Sequence, residues 1–169
     1  MQLKDRMPVL YRHLGVWDGY YRYFDKDGVK IDEHKSRLLC RFPTEHTYHQ
    51  TNFYFWQDGK KETRDFPTKI ENNKIIFYTE VSGWAAEVPL DEFNRTVMLY
   101  WVRTNEDNLH LYEMIQISDC GKYRSRVWQW FKDGRLIQRT LIDEEFVTTD
   151  WQSYENLQPE YADIAQLSG

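Results

Sequence analysis

Apolar and polar residues alternate along most of this chain, and glycine- or asparagine-bearing turns break the alternation at short intervals. The segment from Lys122 to Glu144 carries the pattern most clearly. Two β-rich runs, Tyr123 to Phe131 and Leu136 to Val147, flank the turn Lys132-Asp133-Gly134-Arg135. Asp-Gly between two alternating runs is a strong hairpin signal, because glycine accepts the positive φ that a tight turn requires. The same punctuation occurs at Asp27-Gly28 and Asp58-Gly59, and Asn72-Asn73 is a further two-residue turn candidate.

In chain order, Met7, Leu10 and Leu14 fall at helical spacing after Pro8, so residues 1–14 are expected to form a short helix that plugs one end of the domain. A first strand then runs from Gly15 to Phe24, and a second ends at Phe42, where Pro43 is expected to stop it. Tyr48 to Gln57 forms the third strand. Lys61 to Ile70 reads as a polar fourth, edge-like or solvent-facing. Lys74 to Val81 follows, Gly83 is expected to break it, and Trp84 to Val88 makes a short sixth strand. Arg95 to Arg103, Leu109 to Ser118 and the two runs of the hairpin bring the total to ten. Ten short strands joined mostly by tight connections predict an all-β fold, a single antiparallel up-and-down barrel over residues 15–147. Closure removes the exposed edges that an open sheet would carry, and a barrel of this size has room for a small ligand. Residues 148–169, with Trp151, Tyr154, Tyr161 and Leu167 among polar residues, read as a tail that either packs loosely or forms a short helix after Pro159.

Composition narrows the partners. The net charge of -5 and scattered Lys and Arg argue against nucleic acid, which calls for a clustered basic face. Aromatic residues make up 17% of the chain, with 7 Trp and 12 Tyr, which suits a thick core or a pocket for a flat organic molecule. Cys40 and Cys120 are expected to be reduced and buried. No apolar run reaches the length of a membrane span and no signal-peptide pattern opens the sequence, so a cytoplasmic location is expected.

The residues Gly15-Val16-Trp17 after a short helix resemble the Gly-x-Trp opening of the calycin superfamily, which includes lipocalins and fatty-acid-binding proteins. The runs Leu39 to Pro43, Tyr112 to Ile117 and Trp128 to Arg135 are similar to lipocalin-like domains of unknown function related to the S-type phycobilin lyases. The resemblance implies that Trp17 packs beneath an arginine from a late strand and closes one end of the barrel. Arg139 is the first candidate for that arginine and Arg126 the second.

Phosphate loops, nucleophile elbows, His-Glu-x-x-His helices and paired Cys motifs are absent from the sequence. Among His13, His34, His46, His49 and His110 only His46 and His49 are close, with no third ligand by spacing, so no metal is expected. His110 is the candidate axial ligand for a nitrobindin-like haem barrel, but that family's glycine pattern does not follow Trp17, and no cofactor is expected.

On the third strand Tyr48, Gln50, Asn52, Tyr54 and Trp56 share one face, and His49, Thr51, Phe53 and Phe55 share the other. Either the phenylalanines point inward and the amides meet water, or the amides and phenols line a cavity. On the eighth strand Glu113 shares a face with Leu111, Ile115 and Ile117, and on the ninth Arg126 shares one with Trp128 and Trp130. A charge on such a face must reach solvent or find a partner. Glu113 and Arg126 are therefore candidates for a pair inside the barrel, the alternative being that both lie outside.

Two classes of function follow. One is a binding module, a carrier or chaperone for a small hydrophobic or aromatic molecule, with Gln50, Asn52 and Arg126 holding its polar end and Tyr21, Trp84, Trp128 and Trp130 shaping the pocket. The other is a cofactor-independent isomerase, cyclase or lyase on the same scaffold. There Glu113 would move protons while Arg126, Arg41 or Tyr54 polarises a carbonyl. A bilin-lyase-like role follows from the resemblance alone. Aromatic strand faces are compatible with a homodimer.

Overall fold

The computed structural model describes residues 2–164. Ten strands close into one antiparallel barrel: β1 (Gly15–Asp25), β2 (Lys30–Thr44), β3 (Thr47–Phe55), β4 (Lys61–Glu71), β5 (Lys74–Tyr78), β6 (Val81–Glu87), β7 (Thr96–Arg103), β8 (Leu109–Ile117), β9 (Tyr123–Lys132) and β10 (Arg135–Thr148). Each strand pairs with its sequence neighbours, and β10 returns to pair with β1. The turn chemistry drives this meander. Asp133 and Gly134 both take positive φ, 50° and 76°, and so do Asn72 and Asn73, 51° and 57°, which matches the twist of two-residue hairpins.

Three expected boundaries shift. Pro43 does not stop β2, because the β2–β3 register skips between Arg41 and Thr44, and a residue there needs no ladder N–H. Gly83 lies inside β6 rather than breaking it: a Cβ there would sit 1.9 Å from the Tyr100 carbonyl oxygen on β7, so glycine permits the close approach of two strands. The turn falls instead at Thr79 and Glu80. The β4–β5 ladder covers only Lys69 to Glu71, so residues 61–68 pair on one side alone, with β3. The edge-like character of that segment is real, though local to one stretch of a closed barrel.

One end of the barrel is plugged. The N-terminal residues form two single turns, α1 (Leu3–Arg6) and α2 (Pro8–Tyr11), in place of one helix. Leu3, Met7, Val9 and Leu10 are buried in the main core. Leu10 N–H donates to Glu87 at 2.7 Å, and Arg12 donates to the Ser118 carbonyl at 2.7 Å, tying the plug to the β6 and β8 ends.

The tail is not loose. Residues 149–164, with 3-10 turns at Gln152–Tyr154 and Tyr161–Asp163, cross the outside of β1, β2 and β3. They cover Val16, Leu39, Phe53 and Phe55, and Ile164 is itself buried there. Three outward cations of β2 each meet a tail ring: Arg41 over Trp151 at 5.7 Å, Arg37 over Tyr154 at 5.1 Å and Lys35 over Tyr161 at 4.2 Å. Arg37 also holds Asp18 of β1 through two hydrogen bonds, 2.7 and 2.8 Å. The expected packing of Leu167 lies outside the described residues. Cys40 is buried, but Cys120 is exposed, in the β8–β9 turn.

Candidate functional site

The interior is built by strand alternation, and it has two levels. The deeper one is a belt of charge. Arg126 on β9 donates from Nε to Glu113 on β8 at 2.6 Å and from Nη1 to Glu144 on β10 at 3.1 Å and to the Tyr21 hydroxyl at 3.0 Å. Arg124 pairs with the other oxygen of Glu144. Its Nη1 reaches His13 Nδ1 at 3.2 Å. All five side chains from Glu113, Arg124, Arg126, Glu144 and Tyr21 are buried. Gly19 makes room for this belt, since a Cβ there would lie 2.5 Å from Glu144 Cγ.

Burial alone would raise the Glu144 pKa, but Arg124 and Arg126 outweigh it and hold the carboxyl below its usual range. Burial likewise works against the charge on Arg126, yet Glu113 and Glu144 hold it well above the ordinary arginine value. His13 is pushed well below the normal histidine value by burial and by Arg124, Arg126 and Arg12, so it is neutral.

Arg124, not Arg139, closes the plugged end. Its guanidinium lies 4.4 Å over the Trp17 ring, while Arg139 is exposed on the outer face of β10. Strand parity explains the difference: Thr140, Ile142 and Glu144 point inward, and Arg139 belongs to the other set. Arg126, the second candidate, sits one inward position further along β9.

On β3 the amides and phenols face in. Tyr48 OH donates to Gln50 Oε1 at 2.6 Å, Gln50 Nε2 to Asn52 Oδ1 at 2.8 Å, and Asn52 Nδ2 to the Tyr54 oxygen at 2.8 Å. Phe53 and Phe55 face out, yet the tail keeps them dry. The alternation was therefore ambiguous for a physical reason, namely that both faces of this strand are buried.

Above the belt, toward the end opposite the plug, opens a cavity of about 690 Å³. Its walls include Tyr23, His34, Tyr54, Trp56, Trp128 and Trp130, with Asp32, Glu62, Arg64, Arg103 and Glu106 interspersed. Tyr21 lies between the levels, its ring 5.5 Å from Trp128 and 5.3 Å from Tyr54, and its hydroxyl on Arg126. Tyr54, Trp128 and Trp130 are thus brought together at the cavity wall. Glu113, Arg126, Gln50 and Asn52 are not part of that wall and are hydrogen-bonded to one another or to neighbouring interior groups. Trp84 and Arg41 are elsewhere. Trp84 points outward from β6 with Lys74 Nζ 5.1 Å over its ring, and Arg41 points outward from β2, bonded to Thr51 at 2.9 Å under the tail.

His34 is the cavity residue with the best-defined chemistry. Its Nδ1 faces the Lys35 carbonyl oxygen at 3.0 Å, and an oxygen of that kind only accepts, so Nδ1 carries the proton. Nε2 is then an acceptor, and it receives the Tyr23 hydroxyl at 2.9 Å. Burial lowers the His34 pKa to about 4, and burial raises that of Tyr23, so both are neutral near pH 7. The indole N–H groups of Trp101, Trp128 and Trp130 are buried without a hydrogen-bond partner.

Tyr23, His34, Trp56 and Arg103 were not singled out by sequence reasoning as site residues. The two-residue period from Tyr21 could have found Tyr23, and the β1–β2 register, which opposes Tyr21 to His34, could have found His34. His110 lies on the outer face of β8 against Tyr100 at 2.8 Å, and His49 is outside, bound to Asp65 at 2.7 Å. Among the described residues no three His, Cys, Asp or Glu side chains gather as a metal group, and no helix is long and apolar enough to cross a membrane.

Solved structures with this architecture include a DUF3598-family protein of unknown function from Nostoc punctiforme PCC 73102, 17% identical, with a TM-score of 0.65 over 82% of this chain and 49% of that one. The chain spans about half the length of that relative. An S-type phycobiliprotein lyase, CPES from Guillardia theta, is 11% identical, with a TM-score of 0.64 over 88% of this chain and 94% of that one. Rv2717c from M. tuberculosis is 12% identical, with a TM-score of 0.57 over 85% and 98%. At these identities the likeness concerns the fold. No curated protein matches the sequence. Residues 4–149 match the N-terminal domain of the family described as a domain of unknown function, DUF3598, and the chain belongs to that family.

Proposed function

We propose that this protein, a calycin-type barrel, binds a small hydrophobic or aromatic organic molecule in the cavity above the charged belt. The observation that carries the reading is the space of about 690 Å³ walled by the rings of Tyr54, Trp56, Trp128 and Trp130. Ligand sites are commonly of this size, and here aromatic rings and charged groups share the wall. The belt beneath supports the floor by holding Tyr21 in place. Native mass spectrometry of the purified protein, set against the denatured sample, tests the reading: a discrete mass lost on denaturation supports it. A bare protein that also takes up no member of an aromatic compound panel contradicts it.

A second reading, cofactor-independent isomerase, cyclase or lyase chemistry, is favoured by the Tyr23–His34 pair. His34 is neutral, its tautomer is fixed, and its accepting nitrogen is bonded to a hydroxyl at the cavity wall. That pair is better placed for proton transfer than Glu113, whose carboxylate is committed to Arg126. Turnover would appear as product formation that falls on acidification near pH 4 and in His34→Gln. The bilin-lyase-like reading rests on the fold shared with the Guillardia theta lyase. It predicts a bound tetrapyrrole, which the same mass measurement would reveal.

A further inference from the structure

The outer surface of the barrel has two unlike faces. Over β1, β2 and β3 it carries Lys35, Arg37 and Arg41, and the tail covers it. Over β6, β7, β8 and β9 it stays open, with Tyr112 46% exposed. By strand alternation no outward position of these four strands holds Asp, Glu, Lys or Arg, in a chain of which 29% is charged. The positions align from strand to strand. Trp84 opposes Tyr100, which opposes Tyr112, and in the next row Met98 opposes Met114, which opposes Val127. The Tyr112 ring lies 5.1 Å from Tyr100 and 5.5 Å from Phe131. Charge resumes at the borders, with Lys74 on β5 and Arg139 and Asp143 on β10. A centre rich in aromatic rings and methionine and free of charge, inside a charged rim, is the composition of a protein interface.

We propose that two copies of this chain pair through the outer face of β6–β9, with Tyr112 and Gln129 near the centre of the contact. Two arguments select a second copy as the occupant. The first is charge. In a two-fold contact the patch meets itself, so any net charge on it would be repelled by its own copy. The chain carries -5, and none of that charge lies on the outward positions of these strands. The Tyr112 hydroxyl and the Gln129 amide both donate and accept, so each can be satisfied by the same groups of the other copy. The second argument is area. Strands of 7 to 10 residues, at ~3.3 Å per residue and ~4.8 Å between strands and with the flanking rows on β5 and β10, give a face of roughly 650 Å² before side-chain relief is added. A standard interface takes about 800 Å² of accessible surface from each partner. Pairing through the side of the barrel leaves the cavity mouth at its end free, so the proposal stands apart from the binding reading.

Sedimentation equilibrium of the purified full chain tests this, at concentrations up to about 100 μM, above the micromolar limit of interfaces of this size. The expected mass is twice the 20.7 kDa of one chain. Tyr112→Glu sets a charge in the patch where it meets its own copy, and should weaken the dimer at least about a hundredfold. Gln129→Glu adds the same charge with no change of volume and gives a second route should Tyr112→Glu fold poorly; near-ultraviolet circular dichroism identifies the variants that remain folded. Leu157→Glu, at an exposed apolar position of the tail, should leave the dimer intact. A wild-type chain that stays monomeric overturns the proposal and gives the face to some other partner. A dimer that persists unchanged in both folded patch variants also overturns it, and so does one that only Leu157→Glu dissociates, which would place the contact on the tail.

Discussion

Arg126 and Glu113 meet at 2.6 Å inside the barrel, on adjacent strands whose other inward residues are almost all apolar. The contact is the anchor of a network in which two arginines share two carboxylates, Glu144 bridging them. Such a network is stable only when complete, because each charge has left water and depends on its partners. Glu113→Ala should therefore cost about 3–5 kcal/mol in chemical denaturation. A loss under about 1 kcal/mol would mean that the pair is solvated.

The plugged end gives a sharper contrast. Arg124→Ala strips Glu144 of one partner and uncovers the Trp17 ring, and it should destabilise by about 3–5 kcal/mol. Arg139→Ala, on the outer face, should stay within about 0.5 kcal/mol. Thermal melting of the two variants side by side decides which arginine closes the barrel.

Acid should weaken the fold earlier than carboxylate titration alone would require. His34 has a folded pKa near 4, below the unfolded value of about 6.5. Between these pH values the unfolded chain takes up a proton that the native state refuses, so the His34 contribution is complete above about pH 6.5 and is lost as pH falls toward 4. The loss amounts to about 3 kcal/mol. Urea unfolding between pH 7 and 4 should show this slope, and His34→Gln, which keeps a side-chain acceptor for Tyr23, should flatten it. His13 is shifted in the same direction and leaves a residual slope in that variant.

The tail behaves as part of the core. Ile164→Asp would place a charge against Val16, Leu39, Phe53 and Phe55, and should cost about 3 kcal/mol or more. Hydrogen exchange should then report faster opening of the tail and of the β2–β3 outer face. No change in melting would show that the tail is dispensable.

Much of this architecture was legible in residue order. Alternation and the Asp-Gly and Asn-Asn turns are local signals, and a meander consists of local pairings, so ten strands and their closure could be read directly. The Glu113–Arg126 pair was legible because opposite charges on inward, largely apolar faces of adjacent strands have few other places to go. Arg124 was missed although it obeys the same two-residue period as Arg126, and Arg139 was favoured although it falls on the opposite parity to Ile142. The β3 faces could not be decided locally, because Phe53 and Phe55 are covered by residues that lie about a hundred positions away. Trp84 was drawn into the pocket by its ring alone, and its parity in β6 puts it outside.

The cavity as the ligand site is most directly tested by the indole N–H resonances of the seven tryptophans, recorded by ¹⁵N NMR during titration with 1-pyrenebutyrate or with any compound that copurifies. The account predicts large shifts for Trp128 and Trp130, a smaller one for Trp56, and none for Trp17, Trp84 and Trp151. Saturable shifts at Trp84 or Trp151, with Trp128 and Trp130 unmoved, would place binding outside the barrel and contradict it.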